Sequence, residues 1–295
     1  MRFSVWMRAY EPWREMANEA RHIDEAGWNG IWVADHFMPM SNVRGDGPRE
    51  TWAMLSAIAA VTERVRLGNI VCGNTYRHPA ILANTAATVD VISGGRVILG
   101  LGAAWDQNEH DAYGIELPSV TVRLDRLEEA CQVIKAVTGP QPGSFDGDHY
   151  RVTNAFTGAH PVNAPLPLLV GGHGEKRTLN IVARHADEWN AWCPPKEMRR
   201  LSEVLDGHCD SVGRDPATVK RTSMMVFAFA DDPPVTAGPP AQLVGTAAQL
   251  QETMQGYADA GVDEILVPDW AWGSGQRRLD GIDRFLAEVA SPFRS

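Results

Sequence analysis

Short apolar runs recur along this chain, and they turn polar where they end. They close on Asp35-His36, Asn74-Thr75, Trp105 and Gly171-Gly172, and the last three lead into helix-like segments directly or after an insertion. A run such as Gly30-Ile31-Trp32-Val33-Ala34 is short and continuously apolar, as in a strand buried on both faces. Strands of that kind alternating with helices build an α/β fold around a parallel sheet. Here the alternation predicts a (β/α)8 barrel, in which the active site is assembled from the C-terminal ends of the strands. The polar clusters are therefore expected to meet in one mouth, although they lie far apart in sequence.

The spacing predicts strands at 2–7, 30–34, 65–71, 96–101, 167–171, 187–191, 221–229 and 264–267. Trp13, Met16, Ala20 and Ile23 recur at helical spacing over about 12–26, and Gly27 is placed to stop that helix. Further helices are expected near 50–62, 175–185, 195–211 and 276–290. Pro79 opens another, with Ile81, Thr85, Thr88 and Ile92 on one face and Ser93-Gly94-Gly95 at its end. Leu124, Leu127, Cys131 and Ile134 mark a helix that follows a long loop over 103–119. Thr246 with Gln249 reads as a capping box. Residues 140–165 are rich in Gly, Pro, Asp and Asn and are too long for an ordinary connection. They are expected to form a rim insertion with a hairpin around Asp146-Gly147-Asp148, and 231–241 a Pro/Gly loop. The whole of 1–295 is expected to be one barrel domain.

Composition excludes several classes of function. A net charge of −10 argues against an extended nucleic-acid surface, which needs clustered cations. With 44% hydrophobic residues the chain can bury a substantial core, yet no apolar run is long enough for a membrane helix. The chain starts on the strand-like Arg2-Phe3-Ser4-Val5-Trp6, so no signal peptide is expected. Cys72, Cys131, Cys193 and Cys209 form no CxxC pair, and reduced thiols without a structural metal are the expectation.

Four clusters can carry chemistry. Asp35 either caps the next segment with His36 bonded to it, or His36 serves as an acid, base or ring donor beside a cofactor. Val71-Cys72-Gly73-Asn74-Thr75 taken alone is an ordinary turn, and nothing in the sequence argues for an activated Cys72 nucleophile. Gly100-Leu101-Gly102-Ala103-Ala104-Trp105 offers small residues for the approach of a flat ligand and an indole to wall a pocket, with Asn108 as the best ligand contact beyond it. Glu109 and His110 are adjacent, a poor arrangement for one metal ion. Gly171 to Thr178 reads either as a phosphate cradle at a helix start or as a plain glycine turn beside solvated Lys176 and Arg177.

Together these segments resemble the luciferase-like monooxygenase superfamily, whose members are (β/α)8 barrels with an insertion that bind FMN or the deazaflavin coenzyme F420. The matching pieces are Ala34-Asp35-His36-Phe37, Thr75-Tyr76-Arg77-His78-Pro79, Asp90-Val91-Ile92-Ser93-Gly94-Gly95-Arg96, Leu99 to Trp105, Leu169-Val170-Gly171-Gly172 and Ala260-Gly261-Val262-Asp263. The F420-dependent oxidoreductases of actinobacterial type look most similar. That resemblance implies Asp35 and His36 at the deazaflavin ring, with His36 catalytic, and a bulge at Ile70-Val71-Cys72, often with a non-proline cis peptide, behind the ring. It implies cofactor contacts from Ala103, Ala104 and Asn108, and a phosphate region held by Gly171, Gly172, Gly174 and Glu175. Trp105 stands where the family's sugar-phosphate dehydrogenases carry a catalytic Glu, and is assigned to the substrate pocket. The implied protein is a cytoplasmic homodimer exchanging hydride between F420 and a small organic substrate, with no resident metal. The alternatives are an FMN-dependent monooxygenase using reduced flavin, and a non-catalytic F420 or flavin carrier.

Overall fold

Backbone pairing turns the predicted strands into a closed ring. The computed structural model describes residues 1–39, 47–233 and 242–294. Its barrel strands are β1 (Arg2–Trp6), β2 (Gly30–Val33), β3 (Arg66–Asn69), β4 (Val97–Gly102), β5 (Leu168–Gly171), β6 (Glu188–Ala191), β7 (Lys220–Met224) and β8 (Glu264–Pro268). Each pairs in parallel with the next, and β8 returns to β1 in register Arg2 to Glu264 and Trp6 to Pro268. The helices are α1 (Trp13–Ala26), α2 (Thr51–Val61), α3 (Pro79–Ser93), α4 (Gln107–Tyr113), α5 (Val120–Val137), α6 (Thr178–His185), α7 (Pro195–Ser211), α8 (Ala247–Asp259) and α9 (Gln276–Phe285).

Local chemistry sets many of these boundaries. Gly27 ends α1 in the left-handed conformation at φ +91°, where a Cβ would be strained. Glu50, Asp106 and Ser119 cap α2, α4 and α5 through their side chains, and Thr246 and Gln249 form the expected reciprocal capping box of α8. The insertion contains an antiparallel hairpin, Gly143–Asp146 with Arg151–Ala155, whose turn is tied to Glu129 by the backbone N–H groups of Asp148, His149 and Tyr150.

Several expectations need correction. The strand expected over 65–71 stops at Asn69, the Ile70–Val71 peptide bond is cis, and only Cys72–Gly73 rejoins β4. Across the gap the Asn69 amide acts as a stand-in for backbone, donating to the Gly100 carbonyl at 2.6 Å and accepting from the Gly100 N–H at 3.0 Å. The segment 221–229 is broken after Met224, and Phe227–Phe229 pairs outside the ring with Leu243–Gly245. The loop 103–119 contains α4, while α6 begins at Thr178 and not at 175. The closing helix widens to π-type turns over Leu286–Ala290. Most of the Pro/Gly loop at 231–241 lies outside the described residues.

Alternation along the strands divides the interior. Phe3, Val5, Ile31, Val33, Leu99 and Leu101 pack in the layer shared with the helices, whereas Trp6, Trp32, Ile70, Ile98, Leu169, Met224 and Leu266 form a separate cluster inside the ring. Below them, at the N-terminal strand ends, Arg66 bridges Glu188 and Glu264. The fully buried Glu264 also accepts from Ser4 Oγ at 2.5 Å, Trp32 Nε1 at 3.2 Å and Arg2. Such a charge is tolerable in the interior only because it is paired and hydrogen-bonded. Trp32 has room to lie across the ring because Gly68 has no side chain: a Cβ there would come within 2.2 Å of the indole. Gly68→Ala should therefore lower stability by about 1–3 kcal/mol, the usual range for overpacking. Urea unfolding checks this, and an unchanged midpoint would show that Trp32 can yield.

Candidate active site at the barrel mouth

Beyond the C-terminal end of β2 the chain carries Asp35, His36 and Phe37 across the barrel mouth. Arg77 grips the buried Asp35 with both guanidinium nitrogens, at 2.7 and 3.0 Å, and also reaches Glu50 at 2.6 Å. Glu109, fully buried on α4, holds the residues that follow. Its Oε1 accepts from the backbone N–H groups of Phe37 at 2.8 Å and Met38 at 2.9 Å. Its Oε2 accepts from Tyr76 OH at 2.6 Å and lies 3.1 Å from His36 Nδ1.

These contacts set the protonation of the cluster. Burial pushes the Glu109 carboxyl up, but the hydrogen bonds from His36, Tyr76 and Met38 outweigh it and bring it to about 2. An ionised carboxylate can only accept, so His36 Nδ1 carries the proton and donates, leaving Nε2 as the titrating nitrogen. Burial lowers the His36 imidazolium, yet the bond and charge of Glu109, with Asp35 and Asp106 behind it, raise it overall. Tyr76 is pushed up by burial and by the same carboxylate. His110, expected beside Glu109, turns elsewhere: its Nδ1 donates to the Asp106 carbonyl at 2.6 Å and its Nε2 lies 2.7 Å from Thr75 Oγ1. Among the described residues His36, Asp106 and Glu109 bring possible metal-ligating atoms within 4.8 Å of one another. Hydrogen bonds already occupy both Glu109 oxygens, so the cluster is organised as a clamp on residues 36–38.

On the side of β3, β4 and β5, one side chain explains most of the glycines. A Cβ on Gly102 would lie 2.7 Å from Val71 Cγ2, and one on Gly171 would lie 2.9 Å from Val71 Cγ1. A Cβ on Gly100 would meet the Asn69 carbonyl at 2.1 Å and Val71 at 3.1 Å. The space beside Gly102 and Gly171 is thus taken by Val71, and that beside Gly100 first by the Asn69 carbonyl. Cys72 packs in the layer beneath the helices, where Trp52 Nε1 donates to its sulfur at 3.3 Å and burial pushes the thiol well up. Ala103 and Ala104 are half-buried; Ala104 has φ +61°, an uncommon conformation for a residue with a Cβ, and its carbonyl accepts from Arg123 at 2.6 Å. Asn108 is exposed on α4, and its backbone N–H donates to Asp106. Trp105 is 62% exposed and stands edge-on to His36, ring centres 5.6 Å apart.

After β5, Gly172 adopts φ +127°, where any side chain is strained; its carbonyl accepts from Trp189 Nε1 at 2.7 Å and its N–H donates to Asn190. That glycine is required by the turn itself. Beyond it a cleft of about 540 Å³ is lined by Leu124, His173, Gly174, Glu175, Lys176, Arg177 and Thr178. Arg177 is partly engaged by Asp125 at 2.7 Å, and Glu175 by Arg200 at 3.0 Å.

Opposite this half stand three tryptophans that the sequence analysis does not single out. Trp6 ends β1, Trp192 follows β6 and Trp270 follows β8. Trp6 meets Trp270 at 4.5 Å and Trp192 at 5.5 Å between ring centres, both edge-on. Each is a tryptophan at a strand end, the signal that marks Trp105, but each is isolated in sequence. Tyr76 and Arg77 stand out in the sequence only within a family segment; their bonds to Glu109 and Asp35 join residues too far apart to be paired without a structure.

The sequence profile of the luciferase-like monooxygenase family matches residues 1–237. An F420-dependent glucose-6-phosphate dehydrogenase of Kineococcus radiotolerans is 32% identical over 225 residues, 74% of this chain and 65% of that protein. An F420-dependent hydroxymycolic acid dehydrogenase of Mycobacterium tuberculosis is 27% identical over 217 residues, 72% of this chain and 58% of that protein. This chain thus spans less than two thirds of the length of the relatives it matches. Among solved structures, an F420-dependent secondary alcohol dehydrogenase in complex with an F420-acetone adduct superposes with a TM-score of 0.84 at 22% identity, covering 100% of this chain and 99% of that one. At that identity the likeness establishes the barrel fold.

The clamp makes a pH prediction. Removing the charge in Glu109→Gln should lower the His36 imidazolium, because burial then acts with less opposition; NMR titration of the His36 ring reads this directly. The depressed Glu109 carboxyl contributes stability that is complete above its ordinary value of 4.5 and is lost as pH falls toward about 2. The raised His36 contributes stability that is present below its ordinary 6.5 and is lost as pH rises through its folded value. Acid unfolding of Glu109→Gln should be less steep over the lower window, and an unshifted His36 titration would remove Glu109 from its control.

Proposed function

The chain belongs to the luciferase-like monooxygenase family, and from that premise we propose that it is an F420-dependent oxidoreductase acting on a small organic substrate. The observation that carries this reading is His36, with Nδ1 fixed by an ionised carboxylate and Nε2 left to exchange a proton at the end of a barrel strand. The F420-dependent relatives support the choice of deazaflavin. When bound, that cofactor would supply hydride exchange at its ring.

The residues present suit such a cofactor. His173, Lys176, Arg177 and the Thr178 hydroxyl line the cleft after β5, a donor set for an anionic phosphate group, with Gly172 and Gly174 at its edge. Val71, pressed against Gly100, Gly102 and Gly171, gives the ring a rigid apolar backing, and Ala103, Ala104 and Trp105 border the same side. His36 would hold or move a proton at Nε2, Asp35 and Arg77 would fix the backbone before it, and Glu109 would orient it. Neither Gly174 nor Glu175 adds a cation, so they would contribute backbone contact.

We further infer a homodimer in the cytoplasm. α2 packs against α3, α2 carries no charged residue, and the one charge on α3, Asp90, is buried. Ala53, Ala60, Ile81, Asn84, Thr88, Val91 and Ile92 are left exposed on an uncharged face, the sort of surface that two chains of −10 could share. All four cysteines are free and buried, which suits a reducing compartment, and no described helix is long and apolar enough to cross a membrane.

Fluorescence titration tests the cofactor. F420 should bind with micromolar or better affinity and FMN more weakly; equal binding, or a preference for FMN, would favour the monooxygenase alternative. His36→Ala should retain F420 binding while turnover falls by about 10²–10⁴-fold, the usual worth of a general acid–base group. Tight F420 binding with no substrate-dependent change in its absorbance would instead identify a carrier.

A further inference from the structure

The barrel mouth is divided by residue size. Glycines and Val71 occupy the ends of β3, β4 and β5, whereas Trp192, Met224, Trp270 and Trp6 occupy or follow those of β6, β7, β8 and β1, four strands contiguous in the ring. Trp6 is only 6% exposed and supports the other two indoles, which are half-buried. Trp192 and Trp270 lie 6.1 Å apart between ring centres. The polar edge of Trp192 is already spent, since its Nε1 donates to Gln242 Oε1 at 2.6 Å, so what it has left to offer is an apolar face. Most charged groups that follow β1 and β8 are engaged within the protein. The Arg8 guanidinium stands over the Tyr10 ring at 4.8 Å, the buried Asp269 accepts from the Arg8 N–H, and Arg278 is held by Glu11 and Glu19. His36, at the end of β2, is the neighbour of this arc in the ring because β2 pairs with β1.

We propose that the arc of Trp6, Trp192 and Trp270 is the wall that selects the substrate, and that it selects an uncharged molecule with an apolar ring and one hydrogen-bonding group for His36. This rests on the oxidoreductase reading given above. A phosphorylated sugar brought against three indoles would lose hydration from its dianion, and the indoles themselves carry no charge to offset that. An apolar ring gains from burial, and its edge or face can meet the indoles in the offset and edge-on geometries that aromatic pairs favour.

Calorimetric titration with acetophenone and with glucose 6-phosphate separates the two classes. The F420-loaded protein should bind acetophenone at least about tenfold more tightly than the sugar phosphate. Trp270→Ala should weaken acetophenone by about tenfold or more while leaving the F420 titration unchanged, and Trp270→Phe should restore much of the loss. If Trp270→Ala does not fold, Trp192→Ala tests the same wall. Equal or tighter binding of glucose 6-phosphate, or acetophenone binding indifferent to both tryptophans, overturns the proposal. Failure of the wild-type protein to bind F420 would instead overturn the cofactor reading, and the same two ligands titrated into cofactor-free protein would still test the wall.

Discussion

A parallel ring of eight strands must fill its own centre, and everything at the mouth depends on how that is done here. At the N-terminal end Arg66 is shared between Glu188 and Glu264, so the floor is electrostatic. Above it Trp32 spans the space that Gly68 leaves, and Ile98, Leu169 and Leu266 complete an apolar layer. Ion pairs and packed side chains thus fill the ring from its N-terminal end upward. The C-terminal face is left for loops and strand-end side chains because packing has used up the other.

On that face a single buried carboxylate does what a longer loop packing would otherwise have to do. Glu109 collects two backbone N–H groups, a phenol and an imidazole, and so ties the chain after β2 to a helix after β4. An unsatisfied carboxylate in that position would be costly, but four donors make it a fixed reference for the groups around it. Asp35, the residue just before His36, has a similar role through Arg77. Two acids thus immobilise the segment that carries His36, Asp35 through Arg77 and Glu109 through the hydrogen bonds it accepts.

Much of this is legible in the sequence. The βα rhythm, the stop at Gly27 and the Thr246–Gln249 cap rest on local patterns, and local patterns survive folding. The bend at Ile70-Val71 comes through family likeness, and a cis bond stands there. What escapes the sequence is non-local. Gly100 and Gly102 read as room for a flat ligand because nothing in their own segment shows that the Asn69 carbonyl and Val71 stand against them. Helix α4 is hidden because seven residues give too short a period, although Asp106 caps it well. The run Met224-Met225-Val226-Phe227 is apolar across the break in 221–229, so composition does not mark where β7 leaves the ring.

The contact of Val71 with three glycines limits how this mouth can change. Any larger residue at position 100, 102 or 171 meets Val71, and any smaller one at 71 leaves a void shared by β4 and β5. That half can diverge only by concerted substitution at several strands. The indoles across the ring meet edge-on or tilted, and Trp192 and Trp270 stand on segments after the strands, not within them. The barrel therefore pairs a half fixed strand against strand with a half whose outer indoles hang from the connections, where a change of size is met by loops and not by the ring itself.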